Sequence, residues 1–303
     1  MTLTQLRALI AVAEQGGFTA AADLLGMSQP AVSRAVASLE RELGAPLFVR
    51  HTDGIALTEA GRRAHLRARE ALRHFDLIRA EVAAAAGEVT GPLRLASLPS
   101  ATGTLIAHRL RTFTDRHPQV QVRLFEGTDD DVRGWLRGGA AEVGVVTLPA
   151  PGLHTIPLST HEMVAVVPAG HPLAEQETVH ITDLTGQPFI LTTAGCRPLI
   201  TQAARQSGVQ LDVAYEAGGQ SAILEMVAAG LGVSIVPTLG LPAQLGPVTT
   251  RPLEPRLTRT LALAVLSPSD CGPAVRAFLD LVEQRSPAGS EPDGPWPAFS
   301  SSS

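Results

Sequence analysis

Apolar residues recur three or four positions apart through the first ninety residues, which predicts helices. In the stretch 4–15 they are Leu6, Leu9, Ile10 and Ala13, and a pair of glycines ends this helix. Thr19 is the expected N-cap of a second helix that stops at Gly26. A third helix fills 28–44, with its apolar face at Val32, Val36, Leu39 and Leu43.

The first turn of the third helix is polar, where packing alone would favour apolar residues. Its residues are Ser28, Gln29, Pro30, Ser33 and Arg34. Just before and inside it, Ala22, Gly26 and Val32 follow the spacing A-x3-G-x5-V. A small residue lets two helices cross closely, a glycine makes the turn, and a β-branched residue fixes the second helix on the first. This spacing is typical of a helix-turn-helix.

Two short apolar pieces around Asp53-Gly54 predict a β-hairpin, which would be the wing of a winged helix-turn-helix. Thr58 then caps a long helix expected to run to about Ala86. Its apolar positions alternate between spacings of four and three, at Ala64, Ala68, Ala71, Phe75, Ile78, Val82 and Ala85. A sustained heptad favours a dimer seam, and the alternative is a helix that lies on its own domain.

Strands and helices alternate after a break at Gly87–Pro92. Two such blocks follow, at about 93–161 and 163–266, and the helix Pro273–Gln284 closes the fold. This order predicts an α/β architecture with a largely parallel sheet. The tail from Ser286 is rich in Pro, Ser and Gly, and is expected to be disordered.

Composition narrows the chemistry. All 24 basic residues are arginines, so a Walker A loop and a Schiff-base lysine are excluded. The formal net charge is −5, yet 28–73 carries eight arginines against five acids. This basic island could contact phosphate or, equally, be a solvated charged helical face. Cys196 and Cys271 are too few and too far apart for a disulfide framework. Neither a membrane span nor a signal peptide is visible, so we expect a cytoplasmic protein with no membrane partner.

In this order the parts resemble a LysR-type transcriptional regulator over about 1–285. The matching stretches are FTAAADLLGMSQPAVSRAVASLERELGAPLFVR, LTEAG, FTDRHPQVQVRLFEGT and EMVAAGLGVSIVP. The resemblance implies a winged helix-turn-helix DNA-binding domain at 1–57 and a dimerising linker helix at 58–88. It also implies a two-lobed effector domain, similar to periplasmic binding proteins, at 93–285.

The family pattern further implies how this effector domain divides. Lobe I would comprise about 93–161 and 267–285, and lobe II about 162–266, with the chain crossing between them near His161 and Leu266. The tail 286–303 falls outside the resemblance. Regulators of this family form homodimers and often tetramers, as dimers of dimers, and such a dimer would read an inverted repeat in double-stranded DNA.

The resemblance gives the polar turn a role in the major groove of DNA. There Gln29 can pair with adenine, and Arg34 with guanine or a phosphate. The remaining candidate DNA contacts are Thr19, Ser28, Pro30, Ser33, Arg50 and His51. Ser28 and Pro30 are equally explained as capping residues. Asp53 departs from the family, which often has an arginine there, and an acid would weaken the wing's contact with phosphate.

The effector is expected between the lobes, where strand ends and helix N-termini favour a small organic anion. Ser100 and Thr128 resemble the hydroxyl pair that holds a carboxylate in family members that sense aromatic acids. The alternative is that Ser100 caps a helix and Thr128 closes a turn. The full set of candidates is Ser97, Ser100, Ala101, Thr102, Thr128, Thr192, Thr193, Cys196, Gly219 and Gln220.

Cys196 supports an alternative function, redox sensing, because peroxide-sensing members carry a reactive cysteine near this place. Arg197 beside it could lower its pKa, although a second cysteine is not nearby. Two other classes fit less well. The sequence lacks the motifs expected of an enzyme: it has no nucleophile elbow, no dinucleotide-binding loop, no metal-ligand spacing and no cofactor signature. A stand-alone small-molecule binding protein leaves residues 1–86 without a role.

Overall fold

The computed structural model describes residues 1–51 and 54–284, and for Arg50 and His51 the backbone alone. The chain forms two compact units, Met1–Gly91 and the part from Pro92 onward. The expected tail 286–303 lies outside the described residues, as does Asp53. Within the described ranges, no helix combines the length and apolar character needed to cross a bilayer.

The first unit is built on three short helices, α1 (Leu3–Gln15), α2 (Phe18–Leu25) and α3 (Gln29–Leu43). Each ends at a glycine in the left-handed region, with φ of 67° at Gly16 and 63° at Gly26. The three helices bury one apolar cluster, made of Ala8, Ala11, Val12, Ala21, Ala22, Val32 and Val36. The predicted helix-turn-helix is therefore present.

A hairpin and a long helix complete the first unit. Strands β1 (Phe48–His51) and β2 (Gly54–Leu57) pair antiparallel, as the wing predicts. Helix α4 (Glu59–Ala85) follows, and the Thr58 hydroxyl caps it by accepting the Gly61 amide at 2.9 Å. Close packing fixes the start of α4, because a Cβ on Gly61 would lie 2.0 Å from the Leu47 carbonyl oxygen.

The second unit begins with lobe I. Its first elements are β3 (Gly91–Ser97), α5 (Pro99–Ala101), a π-helical turn (Thr102–Ile106), α6 (Ala107–Arg116), β4 (Val120–Glu126), α7 (Asp129–Arg137) and β5 (Val143–Thr147). The chain then leaves along β6 (His154–Pro168) and enters lobe II. The core of lobe I includes an edge-to-face pair between Phe113 and Phe278, with ring centroids 5.3 Å apart.

Lobe II follows the same alternation and returns the chain to lobe I. Its elements are β7 (Val179–His180), β8 (Pro188–Thr192), α8 (Arg197–Gln206), β9 (Asp212–Ala217), α9 (Gln220–Ala228) and β10 (Ser234–Pro237). The long strand β11 (Val248–Val265) then leads back, and α10 (Pro273–Glu283) packs on lobe I.

Strand pairing corrects the expected sheet. The order β10-β6-β11-β5-β3-β4 joins both lobes, with β7 beside β11. Pairs β3–β5 and β8–β9 are parallel as expected, but β11 runs antiparallel to β5 and β6, and β10 antiparallel to β6. The prediction of a largely parallel sheet is therefore wrong, because two antiparallel strands connect the lobes.

The second crossing also differs from its expected place near Leu266. Residues Leu261–Ala264 of β11 already pair with β5 of lobe I, whereas Val248 pairs with the lobe II end of β6. Arg259 pairs with His161, so both strands cross between the lobes at one level. We call these two crossing strands the β6–β11 ribbon.

Candidate functional site

The first turn of α3 presents polar groups to solvent. Gln29, Pro30 and Arg34 are exposed and Ser33 is half-buried, while the opposite face packs in the core. Ser28 occupies the N-cap position, but its hydroxyl makes no capping hydrogen bond. Arg34 forms no ion pair with any described residue. The turn therefore offers uncommitted donors and acceptors.

The remaining candidate DNA contacts give a mixed result. Thr19 is exposed, but it lies inside α2 and does not cap it, because the helix begins one residue earlier with Gly17 at the N-cap. The expectation that Thr19 caps is therefore wrong. The side chains of Arg50 and His51 fall outside the described residues, and only their backbone is placed, in β1.

The predicted heptad on α4 divides into two parts. Ala68 is 3% exposed, and Ala64 packs beside it on the first unit's own core, against Leu6, Leu9, Leu39 and Leu47. These two alanines were expected in a dimer seam, and that expectation is wrong because α1 covers them. For this half of α4 the alternative, a helix lying on its own domain, is correct.

The second half of the heptad is not covered by any residue that the structure describes. Ile78 and Val82 are 63% and 70% exposed, and Ala71 is exposed. Phe75 is half-buried and lies under the Arg79 guanidinium, 5.5 Å from the ring centroid. Large apolar side chains this exposed on one helical face are typical of an interface.

A cavity of about 550 Å³ lies between the two lobes of the second unit. Lobe I contributes residues from 98–104 and 127–131, and lobe II contributes residues from 192–196, 218–223 and 235–240. The wall includes the predicted residues Ser100, Thr128, Thr192, Cys196, Gly219 and Gln220. The cleft expected between the lobes is therefore present, with six of the ten candidates on its wall.

Four candidates are not on this wall. Ser97 and Ala101 are fully buried in lobe I, because β3 and α5 turn them towards its core. The Thr102 hydroxyl donates to the Leu98 carbonyl at 3.2 Å, and Thr193 is exposed outside the cavity. The structure therefore does not bring these four residues to the cavity wall, since alternate residues of a strand end or helix turn face away from it.

Thr128 lines the cavity, but its hydroxyl is committed locally. It accepts the Asp131 amide at 3.2 Å and donates to the Asp131 carboxylate at 2.7 Å. The Thr128 amide donates to the same oxygen, Oδ2, at 2.9 Å, so the two residues form the capping box of α7. These bonds lower the pKa of Asp131 below its ordinary value. Thr128 therefore has a local structural role, as the N-cap of α7.

Arg259 is a charged residue of the cavity wall that sequence reasoning missed. It is 4% exposed, and its guanidinium donates to the hydroxyls of Thr147 at 3.2 Å and Ser100 at 3.4 Å. It forms no ion pair with any residue in the described ranges. Its signal was an arginine inside a strand, two positions before a wholly apolar run.

A buried ion pair supports the wall beside Arg259. Asp129 accepts the Thr147 amide at 2.6 Å on one oxygen and the Arg133 guanidinium on the other. Arg133 also donates to the Thr147 carbonyl at 2.6 Å. Gly195 of lobe II lies against this pair, because a Cβ there would be 2.9 Å from the Cβ of Asp129. The two lobes therefore meet closely at this edge of the cavity.

Cys196 is buried on the cavity wall, at 4% exposure. Burial raises the pKa of its thiol above the ordinary value, the charge of Arg259 lowers it, and that of Asp129 raises it. The neighbour expected to lower this pKa was Arg197, but its guanidinium pairs with Glu216 at 2.8 Å. That expectation is wrong, and Arg259 acts on the thiol instead.

The start of α9 forms the lobe II side of the cavity. Gly219 is its N-cap, without a side-chain cap, and Gln220 donates from Nε2 to the Pro237 carbonyl at 3.0 Å. The amides of a first helical turn have no partner within the helix, and they favour an anion. Among the described residues, no group of three or more His, Cys, Asp or Glu is arranged to hold a metal ion.

Two family models match the chain. Residues 3–62 match the lysR-family bacterial regulatory helix-turn-helix protein, and residues 86–287 match the LysR substrate binding domain. The probable HTH-type transcriptional regulator LrrA of Synechococcus elongatus is 37% identical, over 95% of this chain and 98% of its own. The probable hydrogen peroxide-inducible genes activator of Streptomyces viridosporus is 32% identical, over 87% and 88%.

Solved structures agree with this assignment. A full-length OxyR variant from Pseudomonas aeruginosa superposes with a TM-score of 0.74 at 24% identity, covering 96% of this chain and 99% of that one. CbnR in complex with its target DNA gives a TM-score of 0.64 at 25% identity, covering 94% and 99%. With both of its parts matched, this chain belongs to the LysR family of bacterial transcriptional regulators.

Proposed function

We propose that the first turn of α3 reads DNA and that the cavity between the lobes binds a small organic anion that controls transcription. The observation that carries the second part is the buried guanidinium of Arg259, which has no ion-pair partner among the described residues. The protein acts in the cytoplasm, where chromosomal DNA lies. Its work is regulated binding, without a catalysed reaction.

The DNA contacts rest on the exposed polar turn of α3. Gln29 pairs with adenine, and Arg34 with guanine or a phosphate, both in the major groove. Ser28 and Ser33 add hydroxyl contacts, and Pro30 fixes the backbone at the helix start. Thr19, Arg50 and His51 are the proposed phosphate contacts around the turn. CbnR, a structural neighbour solved with its target DNA, supports this placement.

Two copies of the chain are proposed to join along the exposed half of the α4 heptad. Ala71, Phe75, Ile78 and Val82 form this stripe. A two-fold dimer presents two α3 helices, so its DNA site is an inverted repeat. Dimers of dimers would extend the contact along the DNA.

Footprinting on the intergenic DNA upstream of the protein's own gene tests the DNA contacts. We expect a protected inverted repeat for the wild type and its loss in Arg34→Ala, because one good bidentate contact is worth about 1–3 kcal/mol. Arg41→Ala is the matched control, since Arg41 is an exposed arginine in the last turn of the same helix. Equal loss in both variants would contradict a specific role for the polar turn.

The anion is inferred from an unbalanced charge. Removing a guanidinium from water costs several kcal/mol unless an opposite charge compensates it. The hydroxyls of Ser100 and Thr147 supply hydrogen bonds but no charge. An anion beside Arg259 supplies that charge, and the amides at the start of α9 face the same cavity.

The cavity selects an organic anion over a bare inorganic one. Its volume of about 550 Å³ falls within the range of small-molecule sites. Apolar side chains share the wall with the polar ones, at Leu98, Ile223, Ile235 and Val236. A ligand with an apolar body and one anionic end fits both kinds of surface.

Binding of 4-methylbenzoate, an anionic probe, tests this part. Trp135 reports on the cavity, because it lies behind the wall residue Gly127, where a Cβ would be 2.6 Å from its ring. A Trp296→Phe background leaves Trp135 as the single tryptophan. We expect saturable fluorescence change, lost in Arg259→Met and kept in Arg256→Met, an exposed arginine on the same strand. Binding that survives Arg259→Met would contradict the proposal.

Oxidation of Cys196 is a second candidate signal. The thiol lines the same cavity, Arg259 favours its thiolate, and relatives include a probable hydrogen peroxide-inducible genes activator. Against it, burial raises the pKa of the thiol, and the second cysteine, Cys271, is not among the residues that line the cavity. Footprints with and without peroxide decide between the two signals. A peroxide-dependent shift that disappears in Cys196→Ser would favour oxidation over anion binding.

A further inference from the structure

The cavity wall has few charged groups, and they differ in whether another residue already neutralises them. Three side chains on it carry charge, Asp129, Asp131 and Arg259. The Asp129 charge is already neutralised by Arg133, and both of its oxygens accept hydrogen bonds within lobe I. A ligand therefore meets one available positive group, Arg259, and one available negative group, Asp131.

The Asp131 carboxylate is only half occupied. Its Oδ2 accepts both the amide and the hydroxyl of Thr128, whereas Oδ1 accepts no hydrogen bond from any described residue. The side chain is exposed, and it forms no ion pair within the described ranges. The capping box fixes the carboxylate in place, so its free oxygen is a preorganised acceptor at the edge of the cavity.

A fixed charge of each sign in one cavity discriminates between ligands by the charge that each end of the ligand carries. Salt at 0.1 M screens charges over about 10 Å, so a ligand confined in this volume is subject to both groups. A second negative charge on the ligand would be repelled by Asp131. A hydrogen-bond donor or a positive charge in the same position would instead be attracted to Oδ1.

We propose that Asp131 is a specificity-determining residue, which makes the cavity select monocarboxylates with a hydrogen-bond donor or a positive charge at the far end and reject dianions. This inference rests on the proposed anion site at Arg259. It narrows the ligand to a monocarboxylate that carries an amino or hydroxyl group away from its carboxylate.

Three matched probes test the selection: 4-methylbenzoate, 4-(aminomethyl)benzoate and terephthalate. They share one ring and one carboxylate, and differ at the opposite end by a neutral, a cationic or an anionic group. Affinities are measured through Trp135 fluorescence on the full-length Trp296→Phe chain. We expect 4-(aminomethyl)benzoate to bind best and terephthalate worst, each step being about threefold, as for an exposed charge pair.

Asp131→Asn is the decisive variant, because an asparagine oxygen still accepts the Thr128 amide and keeps the helix cap. We expect it to abolish the preference among the three probes. Asp130→Asn, the adjacent exposed acid that is not on the cavity wall, should leave the preference unchanged. In 0.5 M salt the wild-type preference should shrink, since the charge of Asp131 is screened.

The outcomes separate the two proposals. A probe order that is the same in wild type and Asp131→Asn, with binding still dependent on Arg259, overturns the role of Asp131 alone. Absence of binding by all three probes, or binding that Arg259→Met leaves intact, overturns the anion site itself and the selection with it. Equal effects of Asp130→Asn and Asp131→Asn would also contradict the role of Asp131.

Discussion

The Nε atom of Arg259 donates a hydrogen bond to the Oγ1 atom of Thr147 across 3.2 Å, joining residues 112 positions apart. The backbone of Thr147 is held from the other side, because its amide donates to Asp129 and its carbonyl accepts from Arg133. One threonine therefore connects the cavity's cation to the buried ion pair of lobe I, at the point where the chain leaves that lobe.

Thr147→Val should destabilise the second unit by about 2 kcal/mol, because it leaves a buried guanidinium N–H without its acceptor. Valine preserves the shape and the backbone contacts, so the fold itself should persist. Urea unfolding of the full chain gives the difference. Thr160→Val is the control, since its hydroxyl pairs with Thr260 in an exposed position, and it should change stability by less than about 0.5 kcal/mol.

Arg133→Met should cost about 3 kcal/mol or more in the free energy of unfolding. The substitution leaves the Asp129 carboxylate buried without its counter-ion. Arg137→Met removes an exposed arginine from the same helix and should have little effect. Similar stability losses in the two variants, measured by urea unfolding, would show that the buried pair has no special weight.

Val82→Glu, alone or with Ile78→Glu, should shift the protein from dimer towards monomer and weaken binding to an inverted repeat. Charged groups in place of the exposed apolar stripe of α4 repel each other in a two-fold interface. Analytical ultracentrifugation and DNA titration measure both effects. Leu43→Glu places the same charge at an exposed leucine at the end of α3, and it should leave the dimer intact. Dimers that persist in Val82→Glu would place the interface elsewhere.

Gly61→Ala should unfold or severely destabilise the first unit, because its Cβ would lie 2.0 Å from the Leu47 carbonyl oxygen. Backbone cannot yield there without moving the wing away from α4. Gly134→Ala in α7 is the control, as nothing lies within 4 Å of a Cβ at that glycine. It should be neutral or stabilise by about 0.5–1 kcal/mol. Thermal unfolding of both variants measures the contrast.

The pKa of His161 should rise when Arg259 is replaced by Met. Burial lowers this pKa below its ordinary value of 6.5, and the charge of Arg259 lowers it further. Histidine NMR titration measures the rise. His117 is the internal control, because burial and Arg116 lower its pKa, so Arg259→Met should leave it unchanged.

The lowered pKa of His161 also links stability to pH. A histidine whose pKa is lower in the folded state than in the unfolded state binds fewer protons when folded. The contribution of His161 to the free energy of unfolding is therefore fully present above about pH 6.5 and is lost as the pH falls below that value. In Arg259→Met, the pKa of His161 in the folded state should be closer to its value in the unfolded state. The variant should therefore lose less stability than wild type between pH 7.5 and 5.5, measured by urea unfolding at each pH. An equal loss would contradict the coupling.

The ends of several helices could be predicted from single residues, because they depend on interactions between neighbouring positions of the chain. Glycine stops at Gly16 and Gly26 end α1 and α2, and the Thr58 hydroxyl caps α4. The same signals misplace Thr19, because the N-cap is Gly17, two positions earlier, and glycine is also a favoured N-cap residue. For such features, one or two residues decide between alternatives that differ by about 1 kcal/mol.

Features that depend on distant pairing were not predictable in this way. Arg259 faces Ser100 from 159 positions away, and that contact exists because β11 crosses back between the lobes. The burial of Ala64 and Ala68 likewise depends on α1, which no periodicity within α4 contains. Even so, three of the predicted hydroxyl residues, Ser100, Thr128 and Thr192, line the cavity, since the ends of successive strands follow from the alternation itself.

The β6–β11 ribbon connects the two lobes at the level of the cavity. Arg259 stands on this ribbon, opposite His161, at the level where both strands pass from one lobe to the other. An anion held there sits at the fulcrum between the lobes and not at their tips. A change of a few degrees at a fulcrum moves the far ends of the arms by a distance that grows with their length. A small rotation of the lobes about an anion at Arg259 would thus have its largest effect on the parts of the lobes farthest from it.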